Sequence, residues 1–261
     1  MNRKSILDLQ NSKEKLVAVT AYDTTMAALV DAYSDIVLVG DSLGMVVQGK
    51  ENTLEVTIED VAYHTRCVHR GLKQAHLVSD MPFLSYQVSE KKAVENAGKL
   101  LQAGAQSVKL EGGEEVTDII FKLTQFGIPV MGHLGMTPQS VHKWGGFKVQ
   151  GRSPERRDEL LRTAKQVEEA GAYALVLESV PADLALEITG AAKIPTIGIG
   201  AGIDCDGQIL VCYDLLGMIR DFKPKFVKQY ASLSKMVESA MQAYAKDVKA
   251  GNFPEKEHTY D

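Results

Sequence analysis

The chain has 261 residues, 45% of them apolar and 24% charged, with a formal net charge of -5 at pH 7, a balance that supports one large globular domain. Both signs of charge are interspersed, which argues against nucleic acid or an anionic membrane as the main partner, since either selects a basic patch. Three cysteines, Cys67, Cys205 and Cys212, form no CxxC pair and make an odd count, which argues against a disulfide framework and for free thiols in a reducing compartment.

The first residues, Met1 to Asp8, lack the apolar core of a signal peptide, and no stretch approaches the roughly 20 apolar residues of a spanning helix. A soluble, cytoplasmic protein is expected. A short helix over 5–11 precedes a first strand, Leu16 to Thr20, and a helix from Thr24 to Tyr33. The second strand is the apolar run Ile36 to Val39, which ends in Gly40-Asp41-Ser42-Leu43-Gly44. After a longer connection, Thr57 opens a helix to Arg70, with Asp60 three residues on completing a loose capping box. A third strand, Ala75 to Ser79, and a helix from Ser89 to Ala103 follow. The fourth strand is Ser107 to Leu110, with a helix from Glu114 to Phe126.

A fifth strand, Pro129 to Gly132, runs into the glycine-rich connection His133 to Gly151. A helix from Ser153 to Ala170 has Pro154 at its first turn. Strand six is Ala172 to Leu177, followed by a helix from Pro181 to Gly190. Strands seven and eight are Pro195 to Gly198 and Gln208 to Val211. A last amphipathic helix runs from about Lys228 to Ala250, ahead of an irregular tail. Eight strand–helix units without a break in composition predict one α/β domain over 1–261, a (β/α)8 TIM barrel. An open doubly wound sheet would struggle to bring acids from strands two, three, four and six around one point.

Those acids are the chemical signal. Asp41, Asp80 and Glu111 end three successive strands, and three such carboxylates repel unless protons or a cation intervene. Oxygen-only ligands from separate elements select a hard cation, so Mg2+ is the expected metal. Each acid taken singly also reads as a helix cap or a surface charge. Lys109, two residues before Glu111, shares its face of the strand and either neutralises the acids or holds a substrate anion. Ser42 either caps the next element or donates to a substrate. Glu178, across the barrel, is a candidate general base, the competing reading being an acid at a helix start. His133, following strand five, could hydrogen-bond a substrate oxygen. The other histidines read as structural. Gly198-Ile199-Gly200-Ala201-Gly202 allows close backbone approach to a ligand. Trp144-Gly145-Gly146-Phe147 reads as a lid, a platform for a flat ligand, or a packed loop.

Beyond these residues the sequence resembles the ketopantoate hydroxymethyltransferases. The resemblance is carried in order by Thr20-Ala21-Tyr22-Asp23, Val39-Gly40-Asp41-Ser42-Leu43-Gly44-Met45-Val46, Asp80-Met81-Pro82-Phe83 and Val108-Lys109-Leu110-Glu111-Gly112-Gly113. It continues through Gly132-His133-Leu134-Gly135-Met136-Thr137-Pro138-Gln139, Gly145-Gly146-Phe147-Lys148-Val149-Gln150-Gly151, Val176-Leu177-Glu178 and Gly198 to Gly202 with Asp206-Gly207-Gln208. It implies a (β/α)8 barrel that transfers a one-carbon unit from 5,10-methylenetetrahydrofolate to 3-methyl-2-oxobutanoate. The product would be 2-dehydropantoate, on the route to pantothenate and coenzyme A. On this resemblance Asp41, Asp80 and Glu111 would form the Mg2+ region, with Asp41, Ser42, Asp80, Lys109 and His133 around the keto acid and Glu178 as the base. It also implies a homo-oligomer, a decamer of two pentameric rings.

Three other readings compete. A phosphoenolpyruvate-type, Mg2+-dependent mutase or lyase would use a similar acid-rimmed barrel, but no cysteine stands at a rim position beside the acids. A non-catalytic small-molecule binding barrel would have no need of a base such as Glu178. A scaffold protein would leave the rim acids incidental.

Overall fold

Eight parallel strands pair in sequence order, and the eighth returns to the first to close a barrel. They are β1 (Leu16–Thr20), β2 (Ile36–Val39), β3 (His76–Asp80), β4 (Ser107–Glu111), β5 (Val130–Gly135), β6 (Ala174–Glu178), β7 (Thr196–Ile199) and β8 (Gly207–Leu210). The structure is a computed structural model that describes residues 3–220 and 223–260. The expected barrel is therefore the observed one. Two compact units divide the chain, residues 1–211, which contain the barrel, and residues 212–261. The N-terminal residues Met1 and Asn2 lie outside the described part. Among the described residues no helix is long and apolar enough to cross a membrane.

The strands form where β-branched and apolar residues run together, as in Ile36-Val37-Leu38-Val39, buried at every position. The helices are started by side chains that satisfy free N–H groups. Thr57 and Asp60 form both halves of the capping box at the helix Ile58–Gly71, and Ser89 and Ser153 cap the helices Glu90–Gln102 and Pro154–Glu169. At Thr24–Val30 the cap is Asp23, whose carboxylate accepts from the Met26 N–H. Thr24 donates its hydroxyl to the Cys67 carbonyl.

Alternation decides what fills the barrel. Leu16, Ala18, Ile36, Leu38, Val78, Met131, Ala174, Val176, Ile197 and Ile209 form one buried apolar cluster, and Leu9 and Tyr173 belong to it. At the amino-terminal ends of the strands a buried polar chain joins it. His76 Nε2 lies 2.9 Å from Ser107 Oγ, and Ser107 Oγ lies 2.9 Å from Tyr173 Oη. His76 Nδ1 meets the Lys4 carbonyl at 3.0 Å, so this histidine is structural. The period of two that puts Val78, Met131 and Val176 inside also puts Asp80, His133 and Glu178 inside, at the opposite end. The carboxyl-terminal layer of the barrel is thus polar because the strands simply continue.

Two boundaries differ from expectation in a way that matters. β5 runs on to Gly135, so His133 sits within the strand and not after it. It pairs across from Glu111, and Gly135 pairs with Glu178. The strand ends where Gly135 turns to a φ of +95°. The last long helix begins at Leu233 rather than Lys228, because the Tyr230 and Leu233 N–H groups are held by the Leu215 and Leu216 carbonyls.

Candidate active site at the barrel mouth

Asp41, Asp80, Lys109, Glu111 and His133 are all buried, at 2–5% exposure, and all lie at the carboxyl-terminal end of the barrel. Gly40 brings the first of them close. A Cβ there would stand 2.7 Å from Ser42 Oγ and 3.4 Å from Asp80 Oδ2. The Asp41 N–H donates to Asp80 Oδ2 at 2.9 Å. Lys109 Nζ lies 2.9 Å from Asp80 Oδ1 and 3.9 Å from Glu111 Oε1. Lys109 thus sits against Asp80 Oδ1 within hydrogen-bonding distance, both groups buried.

Three carboxylates share this buried layer with one ammonium. Burial, then Asp80, then Glu111 push the Asp41 carboxyl well above the usual range, and burial raises Asp80 despite Lys109. Lys109 responds in the opposite sense. Burial alone would lower it, but Asp80, Glu111 and Asp41 outweigh burial and raise it, so the ammonium stays charged. Lys109 Nζ also lies 3.1 Å from His133 Nδ1, and Glu111 Oε1 approaches the same nitrogen at 3.5 Å. His133 Nε2 faces Glu178 Oε2 at 3.3 Å. Burial and Lys109 hold the imidazole down, yet Glu111 and Glu178 push it up to about 9.

Glu178 is the most open member, its side chain 16% exposed. The helix-start reading does not hold for it. The next helix, Ala182–Ala191, starts later and has Asp183 as its first-turn acid. Glu178 is instead fixed by backbone. Its carbonyl accepts from the Met136 N–H at 2.8 Å, and a Cβ at Gly135 would lie 2.2 Å from that carbonyl oxygen. Ser179 then turns the chain with a φ of +49°, a costly conformation of the kind kept at functional sites. Ser42 stands at the start of the helix Leu43–Val46 but makes no side-chain cap. Its hydroxyl meets Tyr22 Oη at 2.8 Å.

Two residues that the sequence reading did not single out knit the acids together. Gln139 Nε2 donates to Asp41 Oδ2 at 2.9 Å and to the Met81 carbonyl at 3.0 Å, and the Gln139 N–H donates to Glu111 Oε2 at 3.0 Å. Tyr86 Oη lies 2.9 Å from Gln139 Oε1 and 2.7 Å from the Glu111 carbonyl oxygen. Gln139 reaches Asp41 across 98 residues of sequence, a contact that only barrel closure creates. Replacing Gln139 by Ala strips a donor from Asp41 and Met81 and a partner from Tyr86, all buried. Urea unfolding should show a loss of about 1–3 kcal/mol, the cost of buried polar groups left unpaired. A change below about 0.5 kcal/mol would mean that water or rearrangement replaces the side chain.

Gln139 thus bridges Asp41 and Glu111. Among the described residues no group of three or more His, Cys, Asp or Glu converges closely enough to hold a metal ion as the side chains stand. Asp41 and Asp80 face each other, whereas Glu111 faces Gln139, Lys109 and His133. The glycines in and after β7 serve packing: a Cβ at Gly198 would meet Cys205 Sγ at 2.9 Å, and one at Gly202 would meet Ala182 Cβ at 2.6 Å. No disulfide joins the three cysteines among the described residues, and Cys205 and Cys212 are buried.

Comparison with known proteins adds the following. A sequence model of the family "Ketopantoate hydroxymethyltransferase" matches residues 1–256. The chain is 52% identical over 263 residues to the 3-methyl-2-oxobutanoate hydroxymethyltransferase of Syntrophotalea carbinolica, covering 99% of this chain and 98% of that one. It is 52% identical over 255 residues to the protein of the same name from Thermotoga maritima, covering 97% and 94%. Among solved structures, a phosphonopyruvate hydrolase complex with oxalate and Mg2+ superposes with a TM-score of 0.65 at 14% identity, covering 99% of this chain and 93% of that one. A 2,3-dimethylmalate lyase does so with a TM-score of 0.61 at 15% identity, covering 97% and 90%. At that identity the mutase and lyase barrels share the fold alone.

Proposed function

The chain belongs to the ketopantoate hydroxymethyltransferase family, and from that premise we propose that its barrel mouth transfers a hydroxymethyl group to 3-methyl-2-oxobutanoate, with 5,10-methylenetetrahydrofolate as donor and Mg2+ as the metal. The observation that carries this reading is the placement of Asp41, Asp80 and the Lys109 ammonium on one wall of the mouth, with Glu178 across from them beside His133. The residues fit a hard dication. The donors are oxygens only, and three buried carboxylates gather here beside one lysine. Asp41 and Asp80 would hold Mg2+ directly, with Glu111, the longer side chain, acting through water. When bound, the ion supplies Lewis acidity toward the keto and carboxylate oxygens of the substrate.

The remaining steps belong to the side chains. Lys109, kept charged by its acids, holds the substrate carboxylate by a charge-assisted hydrogen bond. Ser42 contributes a hydroxyl beside it. Glu178 accepts the C3 proton, and the electron pair left at C3 delocalises toward the keto oxygen. His133 Nε2–H, facing Glu178 Oε2, orients the carboxylate for that transfer and steadies it afterwards. The donor methylene carries two C–N bonds, and both break: water adds to the carbon and releases it at the aldehyde level, its two protons going to the two nitrogens. C3 then bonds to that carbon, and the oxygen takes the proton held by Glu178 to become the hydroxymethyl hydroxyl.

The direct test is product formation from 3-methyl-2-oxobutanoate, methylenetetrahydrofolate and Mg2+, followed by proton NMR of the new hydroxymethyl group. Turnover that needs all three components is expected. In Asp80→Asn, calorimetry should show metal-dependent keto-acid binding weakened at least tenfold. Unchanged metal-dependent affinity in that variant would remove Asp80 from the site.

A further inference from the structure

A second cleft, of about 180 Å³, adjoins the mouth on the barrel's outer side. Its wall is backbone. Gly112 and Gly113 directly follow Glu111, and Gly135 pairs in register with Glu178. Trp144, at the end of the short helix Val141–Trp144, lines it, with Lys143, Arg156 and Arg162 and three acids, Glu114, Glu115 and Glu159. The proposed keto-acid site uses none of these side chains.

Trp144 is held in place at one edge only. Its Nε1–H donates to Thr137 Oγ1 at 3.0 Å, two residues before Gln139. Lys143 Nζ lies 4.8 Å from the indole ring and Arg156 Cζ lies 5.3 Å from it. These cations are weakly engaged. Arg156 is half-exposed and paired with Glu159, and Arg162 is exposed and only 4.0 Å from Glu114. Exposed pairs of this kind contribute little and exchange readily for a better anion. The cleft therefore offers a flat aromatic face, arginines that match carboxylates bidentately and a backbone wall that includes Gly135, the pairing partner of Glu178.

We propose that this cleft is the donor subsite, in which the flat bicyclic ring of the one-carbon donor stacks on Trp144 and its carboxylate tail pairs with Arg156 and Arg162. Drawing Arg156 or Lys143 from the indole toward that tail uncovers a ring face for the bicycle, so the two contacts form together. The proposal rests on the folate donor of the proposed function. It also gives the segment from Thr137 to Gly151 a role as a platform rather than a packed loop.

Trp144 is the only tryptophan in the chain, so its emission reports on this cleft alone. The wild-type protein with Mg2+ and keto acid is titrated with tetrahydrofolate, and N-acetyltryptophanamide at equal concentration corrects for absorbance. Saturable quenching is expected, over the same concentrations at which tetrahydrofolate inhibits turnover. Trp144→Leu should raise the KM for methylenetetrahydrofolate about tenfold or more, and Trp144→Phe, which keeps a flat face, less. Keto-acid affinity measured by calorimetry should stay within about twofold in both, which also shows that the variants fold. Arg156→Gln should raise the same KM and leave the quenching maximum intact. No quenching at inhibitory tetrahydrofolate, or an unchanged KM in Trp144→Leu, overturns the subsite. Absence of wild-type turnover with methylenetetrahydrofolate overturns the donor assignment itself and is read separately, before any variant is made.

Discussion

Glu178→Gln should bind 3-methyl-2-oxobutanoate with near-normal affinity and exchange its C3 proton with D2O 10²–10⁴ times more slowly than the wild type, about what a general base contributes. Exchange isolates the proton step, because it needs keto acid and Mg2+ but no donor. Gln is the informative replacement here. Its amide oxygen can still face the Nε2–H of His133, across the gap that is 3.3 Å to Glu178, so the mouth keeps its shape while the proton acceptor is lost. The carbonyl that fixes this position, held by the Met136 N–H, is untouched. Loss of the C3–H signal is followed by proton NMR, with a metal-free control. Wild-type exchange rates in the variant would move the base elsewhere, with His133 the next candidate. No exchange in a wild-type enzyme that turns over with donor would mean that the ternary complex must assemble before the proton leaves.

The parts of this site that were legible in the sequence are those that a strand delivers by its own period. Asp80, Lys109 and Glu111 end or nearly end runs of apolar residues, and alternation assigns their faces without knowledge of the fold. Eight such runs in 261 residues were enough to expect a closed barrel. What local pattern could not give was anything made by closure. Gln139 looks like an ordinary turn residue after Thr137-Pro138, yet its side chain and its N–H together set the orientation of Asp41 and Glu111. His133 was expected in a loop because Gly132 reads as a strand end. In the barrel Gly132 is needed inside the strand, where a Cβ would lie 2.6 Å from Val167, and the true end is Gly135. A glycine marks a close approach as often as a turn, and only the partner across from it tells which.

Lys109→Met should cost about 3–5 kcal/mol of stability near pH 9, the range for removing one partner of a buried ion pair. An isolated buried ion would be costly to keep, and an apolar replacement could then be neutral or favourable. Lys109 is not isolated. It is 4% exposed, 2.9 Å from Asp80 and 3.9 Å from Glu111, and it is the fixed cation among three buried carboxylates. Its own pKa is raised above the unfolded value, so its contribution is fully present below the unfolded lysine pKa and is undiminished between pH 6 and 9. Without it the carboxylates need protons. Asp41 and Asp80 already lie above the unfolded carboxyl range, and His133 lies above the unfolded imidazole value. The folded variant therefore binds more protons than its unfolded chain through this window, and its stability falls as pH rises. The difference from wild type should be smaller at pH 6, where His133 and an acid take up the missing charge, than at pH 9. Urea unfolding at the two pH values checks it, and millimolar Mg2+ should recover part of the loss at pH 9 by supplying positive charge at Asp41 and Asp80. A difference below about 1 kcal/mol at both pH values would show that the carboxylates do not depend on Lys109 for their burial.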